Sequence, residues 1–153
     1  MQPAVSTSLR VRFRTEADDA FIAQLSAVAF GEYAPGAGVS TLRMAYAGRT
    51  WVALLDGEPV GFAVVHGFGK ARAELGAVAV EERARGRGVG STLLTHVEHA
   101  LARSGTRELT LHTADANASA LDLFVKRGFA NVQRLPRFYR GVYDAWAMRK
   151  RIA

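Results

Sequence analysis

Residues 78 to 90, Val-Ala-Val-Glu-Glu-Arg-Ala-Arg-Gly-Arg-Gly-Val-Gly, constrain the fold of this chain more than any other stretch. An apolar strand runs into a turn of glycine and arginine. That turn opens a helix on which Val89, Leu93, Leu94, Val97 and Leu101 recur at helical spacing. A helix start leaves backbone N–H groups unpaired and carries partial positive charge, so a turn that leaves those groups uncovered is a prepared anion site. Gly86, Gly88 and Gly90 keep the approach open, and Arg85 and Arg87 add charge. The ligand implied is a pyrophosphate.

The remaining segments supply an α/β domain around this unit. Leu9 to Arg14 alternates apolar and basic residues, the period of a half-buried strand; Thr15 then caps a helix running through Phe30. Gly31 to Gly38, with Pro35, reads as a mobile loop, followed by a short helix from about Ser40 to Ala47. Trp51–Leu55 and Pro59–Val65 flank Asp56-Gly57, a hairpin signal, and Arg72–Val80 is a further strand. After the helix at about Gly88–Arg103 come a strand at Leu109–Thr113, a helix capped by Asn117 and ended at Gly128, and strands at Phe129–Leu135 and Val142–Met148. The three-strand run is expected to be antiparallel, with the later helices as crossovers.

At 153 residues and 49% hydrophobic content the chain suits one core. We expect a flexible N-terminus at residues 1–8 and a single domain at 9–153. The absence of cysteine excludes disulfides, thiolate metal sites and cysteine nucleophiles, and points to a cytoplasmic location. No apolar run approaches the roughly 20 residues of a membrane span. The formal charge of +6 suits a polyanionic ligand, but the arginines are spread from Arg10 to Arg151 and no base-stacking motif accompanies them, which argues against nucleic acid.

Other glycine-rich phosphate sites fit poorly. A P-loop needs Lys and a hydroxyl residue after its last glycine, whereas Ser91-Thr92 follows Gly90. The dinucleotide fingerprint needs a sixth-position glycine where Ser91 stands. What matches is R-x-x-G-x-G at Arg85, Gly88 and Gly90, which resembles the acetyl-coenzyme A motif of the GNAT acetyltransferase superfamily. Asn117-Ala-Ser-Ala-Leu-Asp-Leu-Phe-Val-Lys-Arg-Gly-Phe129 is similar to that superfamily's second helix and closing Gly-Phe.

The resemblance implies a mixed, mostly antiparallel sheet of six to seven strands, splayed at its centre and flanked by about four helices. It implies acetyl-CoA as co-substrate, an amine acceptor and no metal; pairing into a homodimer through the terminal strands is common in the superfamily. Arg85, Gly86, Arg87, Gly88, Val89, Gly90 and Ser91 would wrap the pyrophosphate. Val78, Ala79 and Val80 would offer main-chain groups to the pantetheine arm, with Asn117 and Phe124 on its other side. Asn117 is equally a plain helix cap.

Acyl transfer to an amine needs a base, because a lysine-like amine is neutral in only about one molecule in 2,500 at pH 7. Glu74 stands six residues before Val80, read as the same strand face and roughly 20 Å away by strand rise, which suits the span of a pantetheine arm. His112, five residues before Asn117, is the rival base. Many members carry tyrosine where this chain has Phe124, so a proton for the leaving thiolate would come from Tyr139 or Tyr143 on the last hairpin. Two other readings stand beside the N-acetyltransferase: an acyl-CoA-binding module without catalysis, suggested by Phe124, and an acetyltransferase toxin acting on aminoacyl-tRNA, suggested by the basic charge.

Overall fold

The computed structural model describes residues 8–152; the expected flexible N-terminus therefore lies outside the described residues except for Ser8, whose N–H donates to Asp56 Oδ1 at 2.8 Å. The elements are β1 (Leu9–Phe13), α1 (Asp19–Phe30), α2 (Ala37–Ala47), β2 (Arg49–Leu55), β3 (Glu58–His66), β4 (Arg72–Val80), α3 (Val89–Arg103), β5 (Glu108–Ala114), α4 (Ala118–Lys126), β6 (Ala130–Tyr139) and β7 (Tyr143–Arg151). Their order is the one the hydrophobic periodicity predicts. A 3-10 turn at Glu16–Asp18 separates the Thr15 cap from α1. α2 starts at Ala37, earlier than expected, because Gly36 adopts φ 75° and caps it.

The described strands form one seven-stranded sheet in the order β1-β2-β3-β4-β5-β7-β6, antiparallel except where β4 meets β5. Two cores cover its faces. Val89, Leu93, Leu94, Val97 and Leu101 of α3 pack with Leu109, Leu111 and Phe124 on one side; Ile22, Leu25 and Ala45 of α1 and α2 pack with Val52, Phe62 and Val64 on the other. Burying one such aliphatic side chain contributes roughly 1.5–3 kcal/mol, so this double layer fixes β4 from both faces.

Three departures from regularity shape the site. β4 and β5 are paired only at Arg72↔Glu108, Ala73↔Leu109 and Glu74↔Thr110, although β4 continues to Val80 and β5 to Ala114. Beyond Glu74 the two strands part. Second, the β3–β4 register shifts where Val64↔Ala77 gives way to Val65↔Leu75, leaving Gly76 as the extra residue of a bulge. Third, α4 ends in a left-handed Gly128 (φ 92°), with Phe129 N–H donating to Phe124 O and Gly128 N–H to Val125 O, both at 3.0 Å. The ring of Phe129 closes that cap on the ring of Phe124, centroids 5.6 Å apart.

Candidate active site

The turn after β4 has the conformation its glycines predict. Gly86 and Gly88 have φ 76° and 78°, Gly88 is the N-cap of α3, and a Cβ at either would meet open space. A side chain there would be strained by the backbone conformation, and with glycine at both positions the surface above stays clear for a ligand. The first helical bond of α3 runs from Thr92 N–H to Gly88 O, so the N–H groups of Val89, Gly90 and Ser91 have no acceptor one turn back. Gly90 serves a different end: its φ is not left-handed, and a Cβ there would lie 3.0 Å from Leu123 Cδ2. It admits α4 against the start of α3. The Arg85 Nε donates to Val80 O at 3.4 Å, folding that guanidinium back along the strand.

A groove of about 460 Å³ runs from this turn along the end of β4, between α1 and α4. Val78, Ala79, Val80, Arg85, Gly86, Gly88, Val89, Gly90, Ser91, Asn117 and Phe124 all border it, whereas the exposed Arg87 does not. Glu81 N–H donates to Val60 O of β3 at 2.8 Å, and peptide alternation then turns the N–H groups of Val78 and Val80 away from β3, into the gap. Asn117 Oδ1 accepts from Ala120 N–H at 3.2 Å, so the oxygen is spent on capping and the side-chain NH2 remains to face the groove.

In the gap between β4 and β5 itself lies a smaller, mostly apolar chamber of about 180 Å³, bordered by Leu75–Val78 of β4, Leu111–Ala114 of β5, Met44 of α2 and Tyr139 of β6. Phe30, Tyr33, Val78, Asn117, Ala120 and Phe124 border both cavities, so groove and chamber adjoin.

The candidate catalytic residues separate. Leu75 belongs to the core under α3 while Ala77 and Ala79 belong to the core under α1, so the bulge at Gly76 turns β4 over. Glu74 and Val80 consequently occupy opposite faces, and the same-face expectation is corrected: simple alternation fails across an inserted residue. Glu74 is exposed, opposite Thr110, two residues from His112 and on the same face. His112 is exposed, borders the chamber and stacks on Phe138 at 5.0 Å. Burial pushes the Tyr139 phenol above its usual pKa, and the charge of nearby Glu74 pushes it further. Tyr143 borders neither cavity; its hydroxyl donates to Glu32 Oε1 at 3.3 Å. Arg140 Nη1 donates to Glu32 O at 3.1 Å, so the last hairpin is strapped to the α1–α2 loop.

Sequence reasoning missed Tyr33. It borders both cavities, 6.1 Å from Tyr139 and edge-on to Tyr143 at 5.1 Å between ring centroids. Its pKa is raised by burial first, then by Glu32 and Tyr143. Its neighbours in sequence, glycine-rich and without period, offered no signal.

A sheet split beside a helix start with unpaired amides suits a long carrier with a phosphate at one end and a reactive group at the other. The chain belongs to the acetyltransferase (GNAT) family, whose model matches residues 13–129. Membership carries the reaction class, acetyl transfer from acetyl-CoA. A 65-residue stretch is 37% identical to N-alpha-acetyltransferase MAK3 of Arabidopsis thaliana, covering 42% of this chain and 34% of that protein, so the match spans about a third of that relative. Among solved structures, Ard1 from Thermoplasma volcanium superposes with a TM-score of 0.83 at 24% identity, over 95% of this chain and 98% of that one. Salmonella typhimurium yncA, solved with its cofactor acetyl-CoA, gives 0.79 at 20% identity, over 95% and 94%. No helix among the described residues is long and apolar enough to cross a membrane.

Proposed function

We propose that this chain transfers the acetyl group of acetyl-CoA directly to a primary amine, with the α-amine of a peptide or protein N-terminus as its preferred acceptor. The observation that carries the reading is the groove at the α3 cradle adjoining a chamber in the β4–β5 gap, a chamber bordered by His112 and Tyr139 with Glu74 on the same sheet face opposite Thr110. The likeness to an N-alpha-acetyltransferase supports the acceptor class.

In this reading the free N–H groups of α3 and the Arg85 side chain hold the diphosphate, and the NH2 of Asn117 holds the pantetheine arm. The N–H of Val78 polarises the thioester carbonyl, a donor set in place before reaction. Glu74 takes the proton of the acceptor ammonium; His112 is the second base candidate on that face. The amine nitrogen bonds to the acetyl carbon, the carbon–sulfur bond breaks, and the thiolate takes a proton. Phe124 has no proton to give, and its ring is committed to the α4 cap. Tyr139, kept protonated by burial and by Glu74, is the donor the geometry favours over Tyr143, whose hydroxyl is held by Glu32.

The test is coenzyme A thiol release from acetyl-CoA over a panel of peptides with free or blocked N-termini, polyamines and amino acids. Release that requires a free peptide α-amine supports the proposal. Release with small amines alone refutes the acceptor class, and tight binding of acetyl-CoA without release from any amine favours a binding module instead.

A further inference from the structure

His66 ends β3 directly opposite Glu74, which places both side chains on the α2 face with Cβ atoms roughly 4.5–5.5 Å apart. Its ring is bracketed by two glycines. A Cβ at Gly76 would lie 3.0 Å from His66 Cδ2 and 3.1 Å from Nε2, and one at Gly48 would lie 3.0 Å from Nδ1 and 3.1 Å from Cε1. Neither glycine has a left-handed φ, so backbone conformation does not require glycine at either position. At Gly48 the Val65 carbonyl oxygen, 2.4 Å from the same Cβ position, excludes a side chain as well. At Gly76 the first obstacle is the imidazole itself. The next atom, Met44 Sδ at 3.5 Å, is at ordinary contact distance and belongs to the chamber wall.

Gly76 is also the inserted residue at which β4 turns over, with Glu74 on one side and Val78 on the other. We propose that His66 is a positioning residue for acetyl transfer: its ring, wedged between Gly48 and Gly76, sets the bulge and so fixes Glu74 relative to the N–H of Val78. The cradle at α3 lies at the far end of β4 and does not feel it. The proposal rests on the acetyltransferase reading above, and it assigns His66 no contact with substrate.

The test is a double-mutant cycle of His66→Ala and Gly76→Ala, read by thiol release from acetyl-CoA with the most active peptide of the panel and by calorimetric acetyl-CoA binding. An ångström of misplacement can lower a rate by up to about a hundredfold, so His66→Ala should lower kcat about tenfold or more with acetyl-CoA affinity within about twofold. Gly76→Ala should do the same by pressing on the ring. Once the ring is gone the added methyl has room, so in the His66→Ala background Gly76→Ala should cost little more, whereas independent sites would add. Gly48→Ala, which meets backbone, should be as damaging with the ring as without it. Should His66→Ala fail to fold, His66→Asn carries the same readouts. Unchanged kcat, a loss of acetyl-CoA affinity equal to the loss of rate, or additive effects at positions 66 and 76 would overturn the proposal and leave the acetyltransferase reading standing. A wild-type chain that releases no thiol with any amine would overturn both.

Discussion

Glu98, on α3, is the buried carboxylate that ties the two walls of the groove to the sheet. Its side chain is 11% exposed; it accepts from Arg127 Nη2, at the end of α4, at 3.2 Å and forms an ion pair with Lys150 Nζ of β7 at 2.5 Å. Arg127 Nη2 also donates to Thr95 Oγ1 at 3.0 Å, while Arg127 Nε is buried without a partner. Replacing Glu98 by Gln keeps the shape, removes the charge and leaves two cations facing a neutral amide. Breaking a fully buried pair costs about 3–5 kcal/mol. Here the two cations are 27% and 21% exposed and regain some hydration, so about 2 kcal/mol is expected. For a chain of this size that lowers Tm by roughly 4–8 °C. Thermal unfolding followed by circular dichroism measures the shift. Acetyl-CoA binding should hold at temperatures where the variant is folded, because the cradle amides lie at the other end of α3. A Tm within about 1 °C of wild type would refute the assignment of Glu98 as an anchor.

Glu74→Gln should lower kcat by about a hundredfold or more, the usual worth of a general base, without weakening acetyl-CoA binding; an unchanged pH–rate profile would remove Glu74 from the reaction. Tyr139→Phe should slow turnover and Phe124→Tyr should partly restore it in that background, as read by thiol release; equal rates for Tyr139→Phe and wild type would dismiss Tyr139 as the proton donor. Burial pushes the Asp18 carboxyl up, but hydrogen bonds from Arg12 at 2.7 and 3.0 Å and from Thr15 N–H at 2.8 Å outweigh it and hold the pKa below its ordinary value. A lowered carboxylate pKa contributes stability above the unfolded value near 3.9 that is lost as pH falls through the folded value. Denaturant midpoints measured below pH 4 should therefore fall less steeply for Asp18→Asn than for wild type; parallel slopes would contradict this.

How far the fold can be read in advance depends on whether one local rule decides each feature. The cradle is legible because residues 78–90 combine strand, turn and helix signals that agree, and the structure places Gly86 and Gly88 in the left-handed conformation such a turn needs. The ends of α3 and α4 were legible for the same reason, with Gly105 and Gly128 supplying left-handed caps at φ 95° and 92°. The bulge was not legible. Arg72–Val80 reads as an unbroken strand, and Gly76 differs from a regular strand glycine only through His66 and Met44, which arrive from other elements. The facing of Glu74 therefore depended on tertiary contact. Tyr33 was hidden likewise, since its place beside the gap follows from how α1 ends and from the Glu32 contacts of a hairpin more than a hundred positions away. Tyr139 and Tyr143 looked equivalent in sequence and pair directly across the hairpin; only their tertiary contacts, the chamber for Tyr139 and Glu32 for Tyr143, separate the two.

The central claim is that unpaired amides at the start of α3 grip the diphosphate of the acyl carrier. Isothermal titration of acetyl-CoA against S-acetylpantetheine, which shares the arm and the thioester but lacks the diphosphate and the 3′-phosphoadenosine beyond it, tests the claim most directly when combined with a variant of the cradle. Hydrogen bonds to charged groups are worth about 1.5–3 kcal/mol each, so losing even two should weaken binding by about a hundredfold or more. Gly88→Ala should close most of that gap by weakening acetyl-CoA alone. Equal affinity for the two ligands, or equal weakening of both by Gly88→Ala, would contradict the account.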